Sequence, residues 1–402
     1  MIPSGSRGSA LVQAAADLAD ALRDRAAGWE LRGALPEDVR RAVAQAGLLG
    51  AAVPRGHGGA EARQAELGEI SAHLGGACSS LRGLFTVQSM VAAALLRWGT
   101  EDQRAHWLPL LAGGERIAGF AATEQEAGSA LAHVGSRVED DGRQLVVTGR
   151  KRWITFGQTA DVFLVLGRSA GGPVAVLVEG DRPGVRREPV SGQLGMRAAE
   201  IAHVEFDDVV VPRENRVAPE GAGLSHVAAT ALDHGRFTVA WGCVGMAEAC
   251  IADATEHAVR RTQGGVPLAG HQLVGSLLAR SAVGTDAARQ LSCRAAELRT
   301  GSDLRAMTAT IVAKYAAARA AVEASRSAVQ ILGSAGCGPE SRAGRFFRDA
   351  KVMEIIEGSP QAAELHIADR MFRQHGLRPS GPGPRPTAPG TSAAGAGQEV
   401  SA

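Results

Sequence analysis

The most constraining feature of this chain is the order in which its local sequence pattern changes. Residues 8–117 carry apolar side chains every three to four positions, the spacing of amphipathic helices. Residues 118–222 carry short β-branched runs separated by turn residues, and helical spacing returns over residues 223–377. The pattern predicts an α+β fold with an N-terminal α-helical domain, a middle β-barrel or sandwich domain and a C-terminal four-helix bundle.

Helix boundaries are marked in the first segment. Pro36, Glu37 and Asp38 indicate a helix start, and Gly47 indicates a stop. Further helices are predicted over residues 61–74, 81–97 and 101–112.

The middle segment reads as short strands joined by turns. A hairpin is predicted for residues 134–138 and 145–149, because Asp141-Gly142 between them favours a tight turn. Four more strands are expected, with the last two forming a pair: residues 162–166, 174–178, 203–206 and 209–212.

The C-terminal segment contains four long helical patterns, over residues 225–260, 269–298, 303–333 and 340–375. After Leu377 the composition changes to proline, glycine, alanine and serine, so residues 378–402 are predicted to form a disordered tail.

Composition excludes several classes of function. The formal net charge of +1 provides no field that would favour nucleic acid or an anionic membrane, and no apolar run reaches the roughly 20 residues of a membrane span. The five cysteines are scattered, without a CxxC pair, which argues against a disulfide framework or a zinc site. No signal peptide is recognised at the start of the chain, so we expect a cytoplasmic protein without a metal.

Glu357 is the strongest candidate for a catalytic group. It follows Ile355 and Ile356 and precedes Gly358. Burial among apolar side chains raises the pKa of a carboxyl group toward neutrality, where it can exchange a proton. A carboxylate that simply ends a helix is the alternative interpretation of this segment.

Motifs along the chain provide a second line of inference. They comprise residues 119–129 (GFAATEQEAGS), 151–155 (KRWIT), 330–333 (QILG), Arg348-Asp349, and Glu357-Gly358-Ser359. In this order and spacing they resemble the signatures of the acyl-CoA dehydrogenase family, and the resemblance covers roughly residues 10–376.

The resemblance implies FAD as the cofactor. Trp153 offers a flat apolar surface, while Thr123 and Thr155 offer hydroxyls suited to the polar edge of a flavin. A buried tryptophan with threonine neighbours on a strand is the structural alternative. The cofactor-binding residues implied by the resemblance are Phe120, Ala122, Thr123, Ser129, Trp153, Thr155, Arg261, Gln263, Gln272, Gln330, Gly333, Ser359 and Gln361.

Part of that set implies an oligomer. In the family, the residues matching Arg261 and Gln330 reach the FAD of a neighbouring subunit, so we expect a homodimer or homotetramer.

The sequence departs from the family pattern at two positions. Gly264 stands where the family usually has phenylalanine, and Ala130 stands where it usually has aspartate. The glycines of residues 333–338 lack the spacing of a dinucleotide fingerprint.

The implied reaction is α,β-dehydrogenation of an acyl thioester. Glu357 takes the α-proton while the β-hydrogen passes as hydride to flavin N5, and electrons continue to an electron-transfer flavoprotein or to oxygen. The residues expected to contact substrate are Ser129, Asp233, Arg236 and Gly358.

The thioester is open to two interpretations. Residues 346–359, with Glu364, Ile367 and Ala368, look most like enzymes that act on acyl carrier proteins in polyketide extender-unit biosynthesis, for example on a glyceryl group. The alternative is a short- or branched-chain acyl-CoA dehydrogenase of catabolism. A flavin oxidase or monooxygenase of the same fold is disfavoured by Glu357. A catalytically silent binding protein of the same fold is a further alternative, which absence of yellow colour in the purified protein would favour.

Overall fold

The computed structural model describes the backbone of residues 4–377 and the side chains from residue 10 onward. The predicted disordered tail lies outside the described residues. Helices, then strands, then helices follow one another in the predicted order.

The N-terminal segment contains α1 (Ser4–Leu22), α2 (Ala26–Arg32), α3 (Glu37–Gln45), α4 (Gln64–Ala77), α5 (Ser79–Trp98) and α6 (Glu101–Gly113). The predicted start at Pro36 is confirmed, because Pro36 is the N-cap of α3. Gly47 adopts a left-handed φ of +72° just after that helix, as its predicted role as a stop requires.

The middle segment forms one eight-stranded sheet with the order β6-β7-β3-β2-β4-β5-β8, and β1 pairs with β4. The strands are β1 (Ala118–Ala121), β2 (Arg137–Asp140), β3 (Gln144–Ile154), β4 (Val162–Ser169), β5 (Gly172–Glu179), β6 (Val185–Pro189), β7 (Ala202–Pro212) and β8 (Arg216–Val217). The hairpin around Asp141-Gly142 is confirmed as the antiparallel β2–β3 pair. Inward-facing apolar residues of β2 to β5 and β7 share one core.

One strand prediction is wrong. Residues 203–206 and 209–212 do not pair with each other but belong to the single strand β7, which runs between β3 and β6. Its register against β3 shifts where Asp208 takes a φ of +49°, so the residues between the two predicted strands form an irregularity within one strand.

The C-terminal segment contains α7 (Ala229–Arg260), α8 (Gln272–Thr300), α9 (Ala306–Leu332), α10 (Arg342–Ile355) and α11 (Pro360–Gln374), with the short strands β9 (Thr262–Gln263) and β10 (Val266–Pro267) after α7. The single helix predicted over residues 340–375 is wrong, because the chain breaks between α10 and α11. Glu357 and Gly358 have φ values of +56° and +107°, outside the helical region. Ser359 then caps α11 by accepting a hydrogen bond from the Ala362 N–H, with Pro360 in the first turn.

Helices α5 and α7 form the centre of the described structure. Among the described residues, Ser79–Trp98 and Gly223–Arg260 are long and apolar enough to cross a membrane, but 89% and 72% of those windows are buried inside the protein. Their apolar surfaces are therefore explained by packing in the core. Helix α5 contacts both α7 and β1, so it joins the helical and β parts of the fold.

Candidate active site

The carboxyl group of Glu357 lies in the break between α10 and α11. The residue as a whole is half-buried, but its Oε2 is buried and has no hydrogen-bond partner within residues 4–377. Burial raises the pKa of Glu357 to about 7, against the opposing charges of Arg236, Lys314 and Arg82. A carboxyl group that exchanges a proton near neutral pH and has no structural hydrogen bond is suited to general-base chemistry.

Two cations hold the main chain of this loop. The Arg236 Nε–H donates to the Glu357 carbonyl over 2.8 Å, and Lys314 Nζ donates to the carbonyls of Gly358 and Glu354 over 2.7 and 3.0 Å. Lys314 is 3% exposed, and burial lowers its pKa to about 8. Sequence reasoning missed Lys314, although a lysine on an alanine-rich helical face is an unusual residue that could have indicated a buried role.

A glycine opposite the loop makes room for the carboxylate. A Cβ atom on Gly235 of α7 would lie 2.8 Å from both Glu357 Oε2 and Met90 Sδ. On the same helix as Met90, a Cβ on Gly83 would lie 3.8 Å from Thr155 Cγ2. Helix α5 therefore contacts both the Glu357 side of the site and the Thr155 side.

The segments predicted to face the flavin are brought together. The Arg152 N–H donates to the Thr123 carbonyl over 2.8 Å, which joins the residues after β1 to the end of β3. Trp153 is 54% exposed, so the alternative of a buried tryptophan is wrong. Its φ of +61° is rare for a bulky residue, and its main-chain N–H donates to His203 Nδ1 over 3.2 Å.

A buried ion pair supports this segment from behind. Lys151 has no solvent exposure and donates to Glu124 Oε1 over 2.6 Å and to the carbonyls of Leu166 and Ala122 over 2.5 and 3.2 Å. Burial alone would raise the pKa of Glu124, but hydrogen bonds, chiefly from Lys151, bring it below its usual value. Both residues belong to the motifs, but the sequence did not indicate that they form an ion pair beneath the Trp153 segment.

The other predicted flavin residues occupy separate positions. Arg261, Gln263 and Gln272 lie exposed between and at the ends of α7 and α8, and Gln330 and Gly333 lie exposed at the end of α9. Within residues 4–377, no hydrogen bond joins either group to the Trp153 segment. The remaining members are Phe120 (half-buried), Ala122 (buried), Ser129 (exposed), Ser359 (half-buried) and Gln361 (exposed).

The substitution of glycine for phenylalanine at position 264 has a local reason. Gly264 and Gly265 form the turn between β9 and β10 with φ values of +62° and +83°. Phenylalanine in this conformation would be strained.

Asp233 and Arg236, both predicted to contact substrate, also have partners within the chain. Asp233 Oδ2 forms an ion pair with Arg299, whereas its Oδ1 is buried without a partner in the described residues. Arg236 holds the Glu357 carbonyl. Gly358 lies in the same loop, and Ser129 is exposed beyond β1.

Comparison with known proteins assigns the fold to a family. Residues 8–115, 119–209 and 221–372 match the N-terminal, middle and C-terminal domains of acyl-CoA dehydrogenase. The chain is 30% identical over 350 residues to glutaryl-CoA dehydrogenase of Desulfococcus multivorans, covering 85% of this chain and 90% of the relative. The chain belongs to the acyl-CoA dehydrogenase family. Members of this family are FAD-dependent oxidoreductases, as the motifs predicted.

Two further relatives differ in the function that their names describe. Mouse mitochondrial short-chain specific acyl-CoA dehydrogenase is 32% identical over 343 residues, covering 83% of this chain and 82% of the relative. The solved structure of FkbI, described as acting in biosynthesis of the methoxymalonyl extender unit of the polyketide Fk520, is 40% identical with a TM-score of 0.82. It covers 89% of this chain and 99% of FkbI.

The side chains of this acyl-CoA dehydrogenase fit FAD. Trp153 offers an exposed indole, and Thr155 and Thr123 in the same joined segments are half-buried, which suits the apolar and polar edges of an isoalloxazine. Gly333 has open space where a Cβ would lie, and Arg261 is exposed, so its guanidinium is suited to phosphate. Within residues 4–377, no three or more His, Cys, Asp or Glu side chains are grouped to hold a metal ion.

Proposed function

We propose that this enzyme removes the α- and β-hydrogens of a short acyl thioester carried by an acyl carrier protein, in the biosynthesis of a polyketide extender unit. The observation that carries the reaction is the buried, unpartnered Oε2 of Glu357, with a pKa of about 7. The observation that favours extender-unit biosynthesis, and through it a carrier-protein substrate, is the 40% identity to FkbI over 89% of the chain.

Glu357 takes the α-proton of the thioester in this proposal. Within residues 4–377 its Oε2 has no hydrogen bond to break before it accepts the proton, and a pKa of about 7 allows it to lose that proton again. Its main-chain N–H has no main-chain acceptor within residues 4–377, so it is available to polarise the thioester carbonyl. Bound FAD supplies the acceptor for the β-hydride.

The residues around Glu357 position this base. Arg236 and Lys314 fix the carbonyls of Glu357 and Gly358, and Gly235 leaves space for the carboxyl group. The two cations also limit the rise of the Glu357 pKa, which keeps a large fraction of the base ionised at neutral pH.

FAD would be held by two sets of residues. Thr123, Trp153 and Thr155 would line the isoalloxazine, and the exposed Arg261 and Gln330 would reach the FAD of a second subunit. The exposure of Arg261 and Gln330, and the absence of hydrogen bonds joining them to the Trp153 segment within residues 4–377, support such a homodimer or homotetramer. We propose electron-transfer flavoprotein or oxygen as the final acceptor.

The proposed reaction is tested by anaerobic bleaching of the flavin absorbance. Purified enzyme is mixed with a glyceryl-loaded acyl carrier protein and, separately, with butyryl-CoA. We expect the carrier-protein substrate to bleach the flavin and the Glu357→Gln variant to bind FAD without bleaching. Bleaching by butyryl-CoA alone would assign the enzyme to catabolic acyl-CoA oxidation, as the name of the mouse relative suggests, and normal bleaching in Glu357→Gln would reject the base.

A further inference from the structure

The pairing of β3 with β7 is irregular at the tryptophan proposed to face the flavin. Residues 151–154 of β3 lie against residues 202–204 of β7, with the end residues of the two segments paired. Arg152 and Trp153 therefore lie opposite His203 alone. Two residues against one is the definition of a β-bulge, which leaves its extra residue outside the regular ladder of main-chain hydrogen bonds and re-aims its side chain.

Both N–H groups of this bulge have acceptors outside the ladder. The Arg152 N–H donates to the Thr123 carbonyl over 2.8 Å, and the Trp153 N–H donates to His203 Nδ1 over 3.2 Å. In the second bond, a side chain of the opposite strand takes the place of the carbonyl oxygen that is the usual acceptor between strands. His203 thus supplies the acceptor at the one position where the exposed Trp153 leaves the ladder.

The hydrogen bond to His203 acts on a strained residue. Trp153 has a φ of +61°, a left-handed conformation that is costly for a bulky side chain and persists only where the surrounding contacts fix it. The rings of the two residues are nearly perpendicular, with 84° between their planes and 5.5 Å between their centroids. His203 therefore contacts both the main chain and the ring of Trp153.

The imidazole can accept this hydrogen bond only in its neutral form, with the ring proton on Nε2. Within residues 4–377, the charged groups that act on His203 are Arg150 and Arg152 of β3 and Glu188 of β6. Burial, followed by the charge of Arg152, lowers the pKa of His203, whereas Glu188 opposes the shift. The ring is therefore neutral near pH 7.

We infer that His203 is a positioning residue for FAD: by accepting the Trp153 N–H, it holds the bulge that presents the indole to the isoalloxazine. This inference rests on the part of the proposed function that places Trp153 against the flavin, and it is independent of the thioester. Without the acceptor, the main chain of Trp153 can relax from its left-handed conformation. FAD should then be held more weakly, with less contact to the indole.

The test measures the release of FAD from the holoenzyme on dilution, followed by the rise in flavin fluorescence. The fluorescence of the flavin that is still bound is a second readout, because a stacked indole quenches it. His203→Leu removes the acceptor, so we expect FAD release to be about fivefold faster or more, and the bound flavin to be brighter. His203→Asn offers an oxygen close to the position of Nδ1, so its release rate should stay within about twofold of the parent.

A pH profile separates this role from a general effect on packing. A protonated imidazole has an N–H at both nitrogens and cannot accept the Trp153 N–H, so the parent should release FAD faster as the pH falls below about 6.5. His203→Asn does not titrate in this range and should lack that increase. The comparison at each pH cancels the effects of other titrating groups. It decides the inference even where His203→Leu folds poorly.

The matched control is His226→Leu. His226 also packs its ring against a tryptophan, Trp98, with centroids 4.6 Å apart, but it hydrogen-bonds to Ser225 and not to the tryptophan main chain. This variant should release FAD at the parent rate.

Parent release rates in His203→Leu, or the same pH profile in the parent and His203→Asn, would overturn the inference. Failure of the underlying placement looks different, because Trp153→Leu would then release FAD at the parent rate with unchanged fluorescence of the bound flavin. Failure of the proposed reaction appears only as the absence of bleaching by thioesters.

Discussion

Arg236 on α7 donates its Nε–H to the main-chain oxygen of Glu357 over 2.8 Å, so a helix residue distant in sequence fixes the loop that carries the base. The loop needs such support because Glu357 and Gly358 are both at positive φ, a conformation that costs a non-glycine residue about 1–3 kcal/mol. Lys314 provides the second support, at the Gly358 carbonyl.

Replacing Arg236 should therefore disturb the position of Glu357 more than the binding of FAD. Arg236→Met removes the donor to the Glu357 carbonyl, and we expect the rate of flavin reduction to fall about tenfold or more with FAD content unchanged. Stopped-flow bleaching and the ratio of flavin to protein absorbance measure the two effects. Arg326→Met, at an exposed ion pair with Glu323 on α9, is the control and should match the parent enzyme. Loss of FAD with retained turnover in the remaining holoenzyme would contradict this role.

The pH dependence should report the Glu357 carboxyl group. The ionised form is the base, so kcat/KM should rise with pH, bend near 7, and level off above it. Lys314→Met removes a positive charge that lowers the pKa of Glu357, so the bend should move to higher pH. A bend that stays in place, or one that moves to lower pH, would exclude this electrostatic contact.

The same raised pKa has a consequence for stability. Between pH 4.5 and about 7 the native carboxyl group keeps a proton that the unfolded chain has lost, so the free energy of unfolding falls as pH rises through this window. Above pH 7 the penalty amounts to about 3 kcal/mol. Glu357→Gln removes it, so the Tm of this variant should exceed that of the parent at pH 8 and match it near pH 4.5. A variant that is less stable at pH 8 would show that the carboxylate is stabilised, not strained, by its surroundings.

The periodicity of the sequence was sufficient to predict the order of helices and strands, because that order depends on which side chains face the core. It was insufficient at the break after α10. Apolar spacing continues through Ile355 and Ile356, and only Ser359-Pro360 indicates that a new helix begins. The cap and proline signal is short and local, whereas the helical pattern extends on both sides of it.

The motifs led to Glu357, Trp153 and Thr155, but they did not indicate what surrounds these residues. Lys314, Gly235 and Arg82 come close to Glu357 only when α5, α7 and α9 pack together. Such contacts join positions that lie between about 40 and 280 residues apart in the chain, and a single sequence carries no sign of which residues will meet. The groups that a lone buried lysine or arginine contacts are visible only after folding.

Space at Gly235 should be required for the base. In Gly235→Ala the new Cβ would lie 2.8 Å from Glu357 Oε2 and Met90 Sδ, so the carboxyl group must move. We expect flavin reduction to slow by about tenfold or more, since a displacement of about 1 Å can cost a hundredfold in rate. Gly284→Ala in α8 is the matched control, because a Cβ there meets no atom within 4 Å. It should retain activity and gain about 0.5–1 kcal/mol in free energy of unfolding. Unchanged kinetics in Gly235→Ala would remove Gly235 from the site.

The Lys151–Glu124 pair should control FAD occupancy. Lys151→Met leaves Glu124 without its buried counter-ion, and Glu124→Gln leaves Lys151 as an unpaired buried cation, so each single change should cost about 3–5 kcal/mol in free energy of unfolding. Thr123 precedes Glu124 in the chain, and its carbonyl accepts the hydrogen bond from the Arg152 N–H, so loss of the ion pair should displace Thr123. Both variants should therefore also be purified with less FAD. The double variant should lose less free energy of unfolding than the sum of the two single changes.

Arg104→Met, at an exposed ion pair with Glu101, is the control and should keep its full FAD content. Additive losses in the double variant, with normal FAD content throughout, would show that the pair does not support the flavin segment.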